Sequence, residues 1–160
     1  MKKAYIVILM GSKADLEHAH KIQKAAEVFG IPVELRVGSA HKTAAHVMHL
    51  LEAYEADPTP KVYITIAGRS NALSGFTDGA VKSPVIACPP PSESFGGADI
   101  YSSLRMPSGI APAVVLEPTN AALLAAKMIG LLDKEVQQKV VAFQHENADT
   151  ILQDDQEIHG

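Results

Sequence analysis

The sequence predicts an α/β fold in which helices cover both faces of a parallel β-sheet. Three observations predict it. Strand-like and helix-like segments alternate along the chain, the first strand-like segment is apolar throughout, and small polar turns follow the first three of them. Successive β-α-β units form right-handed crossovers, which place their strands side by side and parallel.

Five segments have the pattern of strands. The first is the apolar run AYIVILM, residues 4 to 10, which ends at Gly11 and Ser12. Continuous apolarity of this length is typical of a strand buried on both faces. The other strands are predicted at residues 32 to 37, 61 to 68, 84 to 89 and 112 to 117.

Helices are predicted between these strands. The first, 15 to 29, has apolar residues at helical spacing and ends at Gly30, and the second is 43 to 56. A glycine-rich helical piece (71 to 81), an irregular insert (91 to 109) and an almost unbroken helical signal from 120 to 156 follow. The order implies a flavodoxin-like, doubly wound sheet in a three-layer αβα arrangement with a long C-terminal helical extension. We expect the second half of that extension to pack on another subunit, with ordinary packing on the core as the alternative.

Length and composition favour one domain. The 160 residues, 47% of them hydrophobic, suffice for a domain that buries roughly 70% of its unfolded surface. We expect one domain over 1 to 160, with a core at about 4 to 132 and the extension at about 133 to 157. A net charge of −4 without a long basic run argues against nucleic-acid binding.

Other whole-chain features bear on the compartment. No apolar run approaches the ~20 residues of a membrane-spanning helix, and the N-terminal segment is interpreted as a strand, not as a signal peptide. The single cysteine, Cys88, excludes an internal disulfide. We therefore expect a cytoplasmic protein with no membrane partner.

The turns after the first three strands are the candidate ligand site, because such sheets bind ligands at the carboxyl ends of their strands. After the first strand, Gly11 and Ser12 offer backbone N–H groups where a helix begins. Asp15 either accepts hydrogen bonds from ribose hydroxyls or caps the helix. In the second turn, Ser39 and Lys42 suit a phosphate, although a lysine there also fits a solvated surface.

His41 lies in the same small-residue turn, RVGSAHKTAAH, and is the candidate acid–base group. A structural histidine is the alternative. His46 and His49 lack an evident third metal ligand, and no metal is predicted. Cys88 lies in an apolar strand before three prolines and is expected to be buried, not nucleophilic.

The third turn, AGRSNALSG at 67 to 75, suits a ligand that approaches the backbone closely. Gly68 gives room, Arg69 is able to reach an anion, and Ser70 and Asn71 offer a helix cap. A plain strand-to-helix turn is the alternative. The segment SSLRMPSG carries Arg105 in a long insert, which is the kind of loop that covers a site.

Five blocks resemble one known family. MGSKAD, SAHKT, AGRSN, VIACPP and SSLRMPSG, in this order, resemble the phosphoribosylaminoimidazole carboxylases of purine biosynthesis over roughly residues 4 to 132. The resemblance implies the flavodoxin-like fold, assembly into homotetramers or homo-octamers, an active site shared between subunits, and aminoimidazole ribonucleotide (AIR) as substrate. No cofactor is implied.

The same blocks favour one branch of that family. The bacterial mutase branch, which moves a carboxylate from the exocyclic nitrogen to carbon, has a serine, an arginine and a loop histidine where this chain has Ala14, Lys42 and Ala72. These departures resemble the class II branch, similar to the carboxylase domain of the bifunctional animal enzyme, which uses carbon dioxide directly. The N5-carboxyaminoimidazole ribonucleotide mutase is the alternative, and a non-catalytic phosphoribosyl-nucleotide binding protein is the second.

The resemblance also implies roles for the candidate residues. Gly11, Ser12 and Asp15 would hold the nucleotide, with Asp15 on the ribose, and Ser39 and Lys42 its phosphate. His41 would remove the proton from the ring carbon. The remaining candidates would stabilise the new carboxylate or cover the site from a neighbouring subunit; they are Gly68, Arg69, Ser70, Asn71 and Arg105.

Overall fold

The computed structural model describes residues 3 to 159 and contains one five-stranded sheet in which every pairing is parallel. The strand order is β2-β1-β3-β4-β5. The strands are β1 Tyr5–Met10, β2 Val33–Val37, β3 Lys61–Ile66, β4 Val85–Ala87 and β5 Ala113–Val114. This is the flavodoxin-like order, so the predicted fold class is confirmed.

Helices connect the strands and continue beyond the last one. They are α1 Leu16–Val28, α2 Ala44–Ala56, α3 Leu73–Ala80, α4 Tyr101–Leu104, α5 Pro118–Gly130 and α6 Lys134–His159. Two 3-10 helices, Lys13–Asp15 and Ser94–Ile100, precede α1 and α4. Within residues 3 to 159, no helix has the length and apolar character needed to cross a membrane.

The centre of the fold is β1, whose six residues are all buried. On one face Ile6, Ile8 and Met10 belong to a core cluster that includes residues of α1, α5 and α6. On the other face Tyr5, Val7 and Leu9 pack in a cluster with residues of α2 and α3. Because successive side chains of a strand point to opposite faces, three side chains of β1 pack on each of the two helical layers.

The order of the strands fixes where loops gather. From β1 the chain goes to β2 on one side, then crosses to β3 on the other, so the order reverses between β1 and β3. At such a switch point the two connections leave in opposite directions and open a crevice at the carboxyl ends of the strands.

All five strands are shorter than the sequence predicts, β1, β2 and β3 by one or two residues and β4 and β5 by more. β4 covers 85 to 87 instead of 84 to 89, and β5 covers 113 to 114 instead of 112 to 117. Pro84, Pro89 and Pro90 flank β4, and proline has no N–H to donate to a ladder. A single further bond, from Val115 N to Ala87 O at 2.9 Å, continues the pairing of β5.

The predicted helix from 120 to 156 is in fact two helices. The chain turns at 131 to 133, and Asp133 Oδ1 accepts hydrogen bonds from the backbone N–H groups of Glu135 (2.9 Å) and Val136 (3.3 Å), which caps α6. Gly130 allows the two helices to approach, since a Cβ there would lie 3.2 Å from Gln137 Cα. A glycine at 130 followed by a capping aspartate at 133 is the sequence signal for this break.

Helix α6 packs on the core only over its first part. Val136 and Val140 are buried, and the centroids of the Phe143 and Phe29 rings lie 5.4 Å apart in an edge-to-face arrangement. Every described residue from 144 onward is exposed, including Ile151 and Leu152. The expectation that this half packs on another subunit stays a prediction.

The turn after β2 depends on a glycine. Gly38 N donates to Met10 O at 2.8 Å, and a Cβ at Gly38 would lie 2.7 Å from Cγ2 of the buried Val47. This close approach holds the turn that follows against the first turn of α2.

We therefore expect Gly38→Ala to lower the free energy of unfolding by about 1–3 kcal/mol, because the added methyl overpacks this contact. Denaturant unfolding measures the loss. The matched double variant Gly38→Ala/Val47→Ala should lose less than the sum of its two single variants, since removal of Cγ2 makes room. Simple additivity would contradict this account of the contact.

Candidate active site

The loops after β1, β2 and β3 meet at the carboxyl edge of the sheet, two of them beside the switch point. Gly11 N donates to Ile66 O at 2.9 Å, which ties the end of β1 to the end of β3. The bond from Gly38 N to Met10 O ties the end of β2 to the same strand. All the sequence-predicted residues in these three loops therefore share one edge.

The loop after β2 is a tight turn built by Ser39 and Thr43. Thr43 N donates to Ser39 O (2.8 Å), Ser39 N donates to Thr43 Oγ1 (2.9 Å), and Lys42 N donates to Ser39 Oγ (3.2 Å). His41 and Lys42 are exposed. Because Ser39 Oγ uses only an acceptor position here, its O–H is still able to donate to an anion.

The loop after β1 presents a serine and a carboxylate. Ser12 Oγ accepts from Ala14 N at 3.2 Å and so caps the 3-10 helix. Asp15 stands at the N-cap position of α1, but its side chain makes no capping hydrogen bond. The carboxylate is half-buried, and burial raises its pKa, with His18 acting in the opposite direction. The capping alternative for Asp15 is therefore not what the structure shows.

The loop after β3 starts with a close contact. A Cβ at Gly68 would lie 3.2 Å from Pro90 Cγ, so the proline run packs closely on this loop. Arg69 and Ser70 follow and are exposed. They are the two side chains of this loop that solvent reaches most readily.

Asn71 is buried, with 4% of its surface exposed, and both the nitrogen and the oxygen of its side-chain amide are hydrogen-bonded within the protein. Its Nδ2 donates to Ser103 Oγ at 2.9 Å, and its Oδ1 accepts from Ser74 N at 3.1 Å, which is the helix-capping contact expected from the sequence. The backbone N–H of Asn71 donates to Ser102 Oγ at 2.8 Å. Asn71 therefore holds the loop from within.

These bonds also attach the insert of 91 to 109 to the candidate site of the same chain. Ser102 Oγ in turn donates to Asp99 O (2.8 Å), and Ser92 Oγ donates to Asp99 Oδ2 (2.9 Å). Arg105 follows the end of α4 and is exposed. The insert was expected to be irregular, whereas it contains the second 3-10 helix and α4.

A cavity of about 610 Å³ opens beside these loops, at the carboxyl ends of β4 and β5. Of the sequence-predicted residues it is lined only by Gly68, while His41 and Asp15 lie outside it. Its other walls are the proline run 89 to 91, part of the insert, residues 116 to 118, and His18 and Lys21 of α1. The cavity and the predicted residues are thus neighbours that share one glycine.

Sequence reasoning missed two contributors. Thr43 builds the turn that carries His41, and its position at the start of α2 was a usable signal. His18 is buried with its Nε2 3.1 Å from Cys88 O, a contact across 70 residues for which no local pattern exists. Among residues 3 to 159, no group of three or more histidine, cysteine or acidic residues is arranged to hold a metal ion.

The strand order defines an α/β protein of the flavodoxin-like type. At the carboxyl edge of its sheet, beside the switch point, it exposes the imidazole of His41 and the cationic side chains of Lys42 and Arg69. The family described as AIR carboxylase matches residues 5–150. A curated phosphoribosylaminoimidazole carboxylase of Treponema denticola is 61% identical over 96% of each chain. One of Archaeoglobus fulgidus is 51% identical over 95% of this chain and 83% of its own length. The crystal structure of Treponema denticola PurE has a TM-score of 0.95 at 60% identity, covering 97% of this chain and 98% of that one.

The chain therefore belongs to the AIR carboxylase family, and it is an enzyme, a carboxylase of purine biosynthesis. The family expected from the five sequence blocks is confirmed.

The environment of Asp15 generates a prediction about stability. Burial raises the pKa of Asp15, so the folded protein disfavours the carboxylate relative to the unfolded chain at neutral pH. Asp15→Asn should therefore raise the melting temperature at pH 7, and the gain should shrink as the pH falls toward 4, where the unfolded chain also protonates Asp15. Thermal unfolding across this pH range measures it, with the exposed Glu17→Gln as control. A lower melting temperature at pH 7 would contradict the assignment.

Proposed function

We propose that this enzyme carboxylates AIR directly with carbon dioxide, reversibly, to form 4-carboxy-5-aminoimidazole ribonucleotide. The observation that carries the choice of carbon dioxide is Ala72, which stands where the mutase branch has its loop histidine. A methyl group cannot transfer a proton, so of the loops after β1, β2 and β3 only the β2 loop carries an imidazole, that of His41.

Similarity to an animal enzyme supports the same choice. The bifunctional phosphoribosylaminoimidazole carboxylase/phosphoribosylaminoimidazole succinocarboxamide synthetase of Mus musculus is 45% identical over 86% of this chain, which corresponds to 32% of that longer protein. The departures at Ala14 and Lys42 resemble that branch.

The nucleotide lies along the loops after β1 and β2. The Asp15 carboxylate accepts hydrogen bonds from the ribose hydroxyls. It is available for them because it makes no capping hydrogen bond to α1, and because its half-buried position leaves it poorly solvated. Ser12 and the backbone at Gly11 contact the nucleotide beside it. Ser39 donates its O–H to the phosphate, and Lys42 supplies the positive charge.

The reaction needs no organic cofactor. The ring carbon of AIR is electron-rich, like that of an enamine, and it attacks the carbon of carbon dioxide. A C–C bond forms while one C=O electron pair moves to oxygen, which gives a carboxylate. His41 then takes the proton from the ring carbon, and the C–H electron pair restores the aromatic ring. In the reverse direction His41 returns that proton.

The loop after β3 stabilises the growing carboxylate. Arg69 and Ser70 are exposed at the edge and donate to it, and the backbone at Gly68 lies close by. Asn71 fixes their positions because its own polar groups are already bonded within the protein. Arg105 and the rest of its loop, contributed by a neighbouring subunit, exclude water from the site.

We also propose that the enzyme assembles into a homotetramer or homo-octamer. The exposed second half of α6 supports this, since it presents apolar side chains along a helix that its own chain leaves uncovered, Ile151, Leu152 and Ile158 among them.

A paired assay tests the choice of substrate. Nucleotide absorbance is followed with AIR and dissolved carbon dioxide, and separately with the N-carboxylated nucleotide while carbon dioxide is scavenged. We expect turnover in the first assay and little in the second. Turnover mainly in the second would identify a mutase that works without a loop histidine, and binding without turnover in either would identify a non-catalytic nucleotide-binding protein.

His41→Asn should lower kcat by ~10² or more, because the asparagine amide is unable to carry the proton. Binding of AIR, measured by calorimetry, should remain within about threefold, since the phosphate and ribose contacts are made by other residues. His49→Asn, a change of an exposed histidine on α2, is the control and should leave kcat near that of the wild type. Near-normal turnover in His41→Asn would remove His41 from the mechanism.

A further inference from the structure

His18 is a buried histidine that the proposed chemistry does not use. It lies in the first turn of α1, with 9% of its surface exposed. Its Nε2 lies 3.1 Å from Cys88 O and 3.4 Å from Cys88 Sγ. A carbonyl oxygen only accepts hydrogen bonds, so Nε2 carries a proton and donates it to Cys88 O.

The contact is between neutral groups. Burial lowers the pKa of His18, and burial raises the pKa of the Cys88 thiol to about 12. The pair is therefore an imidazole beside a thiol, without the thiolate that a nucleophilic cysteine needs. What the pair provides is a directed hydrogen bond from α1 to the end of β4.

That bond acts at the point where the β4 ladder stops. Cys88 N donates to Thr65 O at 2.9 Å, and the next three residues are prolines, which have no N–H to donate. The bond from His18 to Cys88 O therefore holds the main chain immediately before the proline run, and the Cys88 thiol adds a longer contact to Leu116 O at 3.8 Å. Pro90 of that run packs on Gly68, where a Cβ would lie 3.2 Å from Pro90 Cγ.

We infer that His18 is a positioning residue for the loop after β3. Its hydrogen bond sets the start of the proline run, Pro90 then fixes the backbone at Gly68, and Gly68 sets where Arg69 and Ser70 lie. The consequence for turnover rests on the proposed function, in which those two side chains bind the growing carboxylate. The consequence for the loop itself does not.

Two variants separate the hydrogen bond from the volume of the ring. His18→Gln retains an N–H donor at about the distance of Nε2, whereas His18→Leu fills similar space and leaves Cys88 O without its donor. His20→Leu is the matched control, because His20 is exposed on the same helix.

Hydrogen–deuterium exchange of the free enzyme reads the loop directly. In His18→Leu we expect at least threefold faster exchange in 67 to 72 and at the backbone amides of Cys88 and Ser92, with β1 unchanged. His18→Gln and His20→Leu should match the wild type. Exchange that is unchanged in His18→Leu, or that rises equally throughout the sheet, would overturn the inference. Should His18→Leu fail to fold, Gly68→Ala is the second variant, and the absence of faster exchange at the amides of Cys88 and Ser92 there would overturn the inference.

Steady-state kinetics read the effect on the reaction. In His18→Leu we expect kcat to fall about tenfold with the KM for AIR within about twofold, because the nucleotide is held by the loops after β1 and β2. His18→Gln should restore most of kcat. A rise in KM alone would contradict positioning of the carboxylate-binding loop. Failure of the wild type to use carbon dioxide would overturn the proposed function and leave the exchange result standing.

Discussion

The site depends on one constraint, which is that β1 is paired on both of its edges and buried on both of its faces. A strand so placed must be an interior strand of the sheet and must receive helices on each side. The reversal of strand order beside it then follows, and with it a crevice at the carboxyl edge. The backbone bonds from Gly11 to Ile66 and from Gly38 to Met10 carry this arrangement into the loops. His41 and Asp15 share an edge because β1 and β2, whose ends they follow, are parallel neighbours.

Most of the fold was predictable because its signals are local. The apolar run of β1 and the helical spacing ending at Gly30 each specify an element without reference to the rest of the chain. The predicted bounds were wrong where a neighbouring residue ends a strand or starts a new helix. Prolines around β4 remove the donors that a longer ladder needs, and Asp133 starts a new helix within what looks like a continuous one. Both signals are present in the sequence, but each requires the pairing partner or the cap to be considered.

In the candidate site, too, the sequence predicts some residues and not others. Residues that face solvent at strand ends, such as His41, Lys42 and Arg69, were found because topology places every strand end at one edge. The residues that hold those loops were not, since their partners are far away in the sequence. His18 meets Cys88 across 70 residues, and Asn71 meets Ser103 across 32. A buried polar side chain is recognised by its partners, which one sequence does not reveal.

The packing of α1 on α5 has a consequence for how the protein is made. Small residues on both helices bring them together against one face of β1, Ala19 and Ala26 from α1 and Ala122 and Ala125 from α5 among them. α1 ends at Val28 and α5 begins at Pro118, so α5 reaches that face only after the segment between the two helices has been synthesised. Contacts between such distant segments close slowly. Until α5 has been synthesised, the nascent chain consequently leaves this face of β1 only partly covered, and exposed apolar surface of this kind favours aggregation.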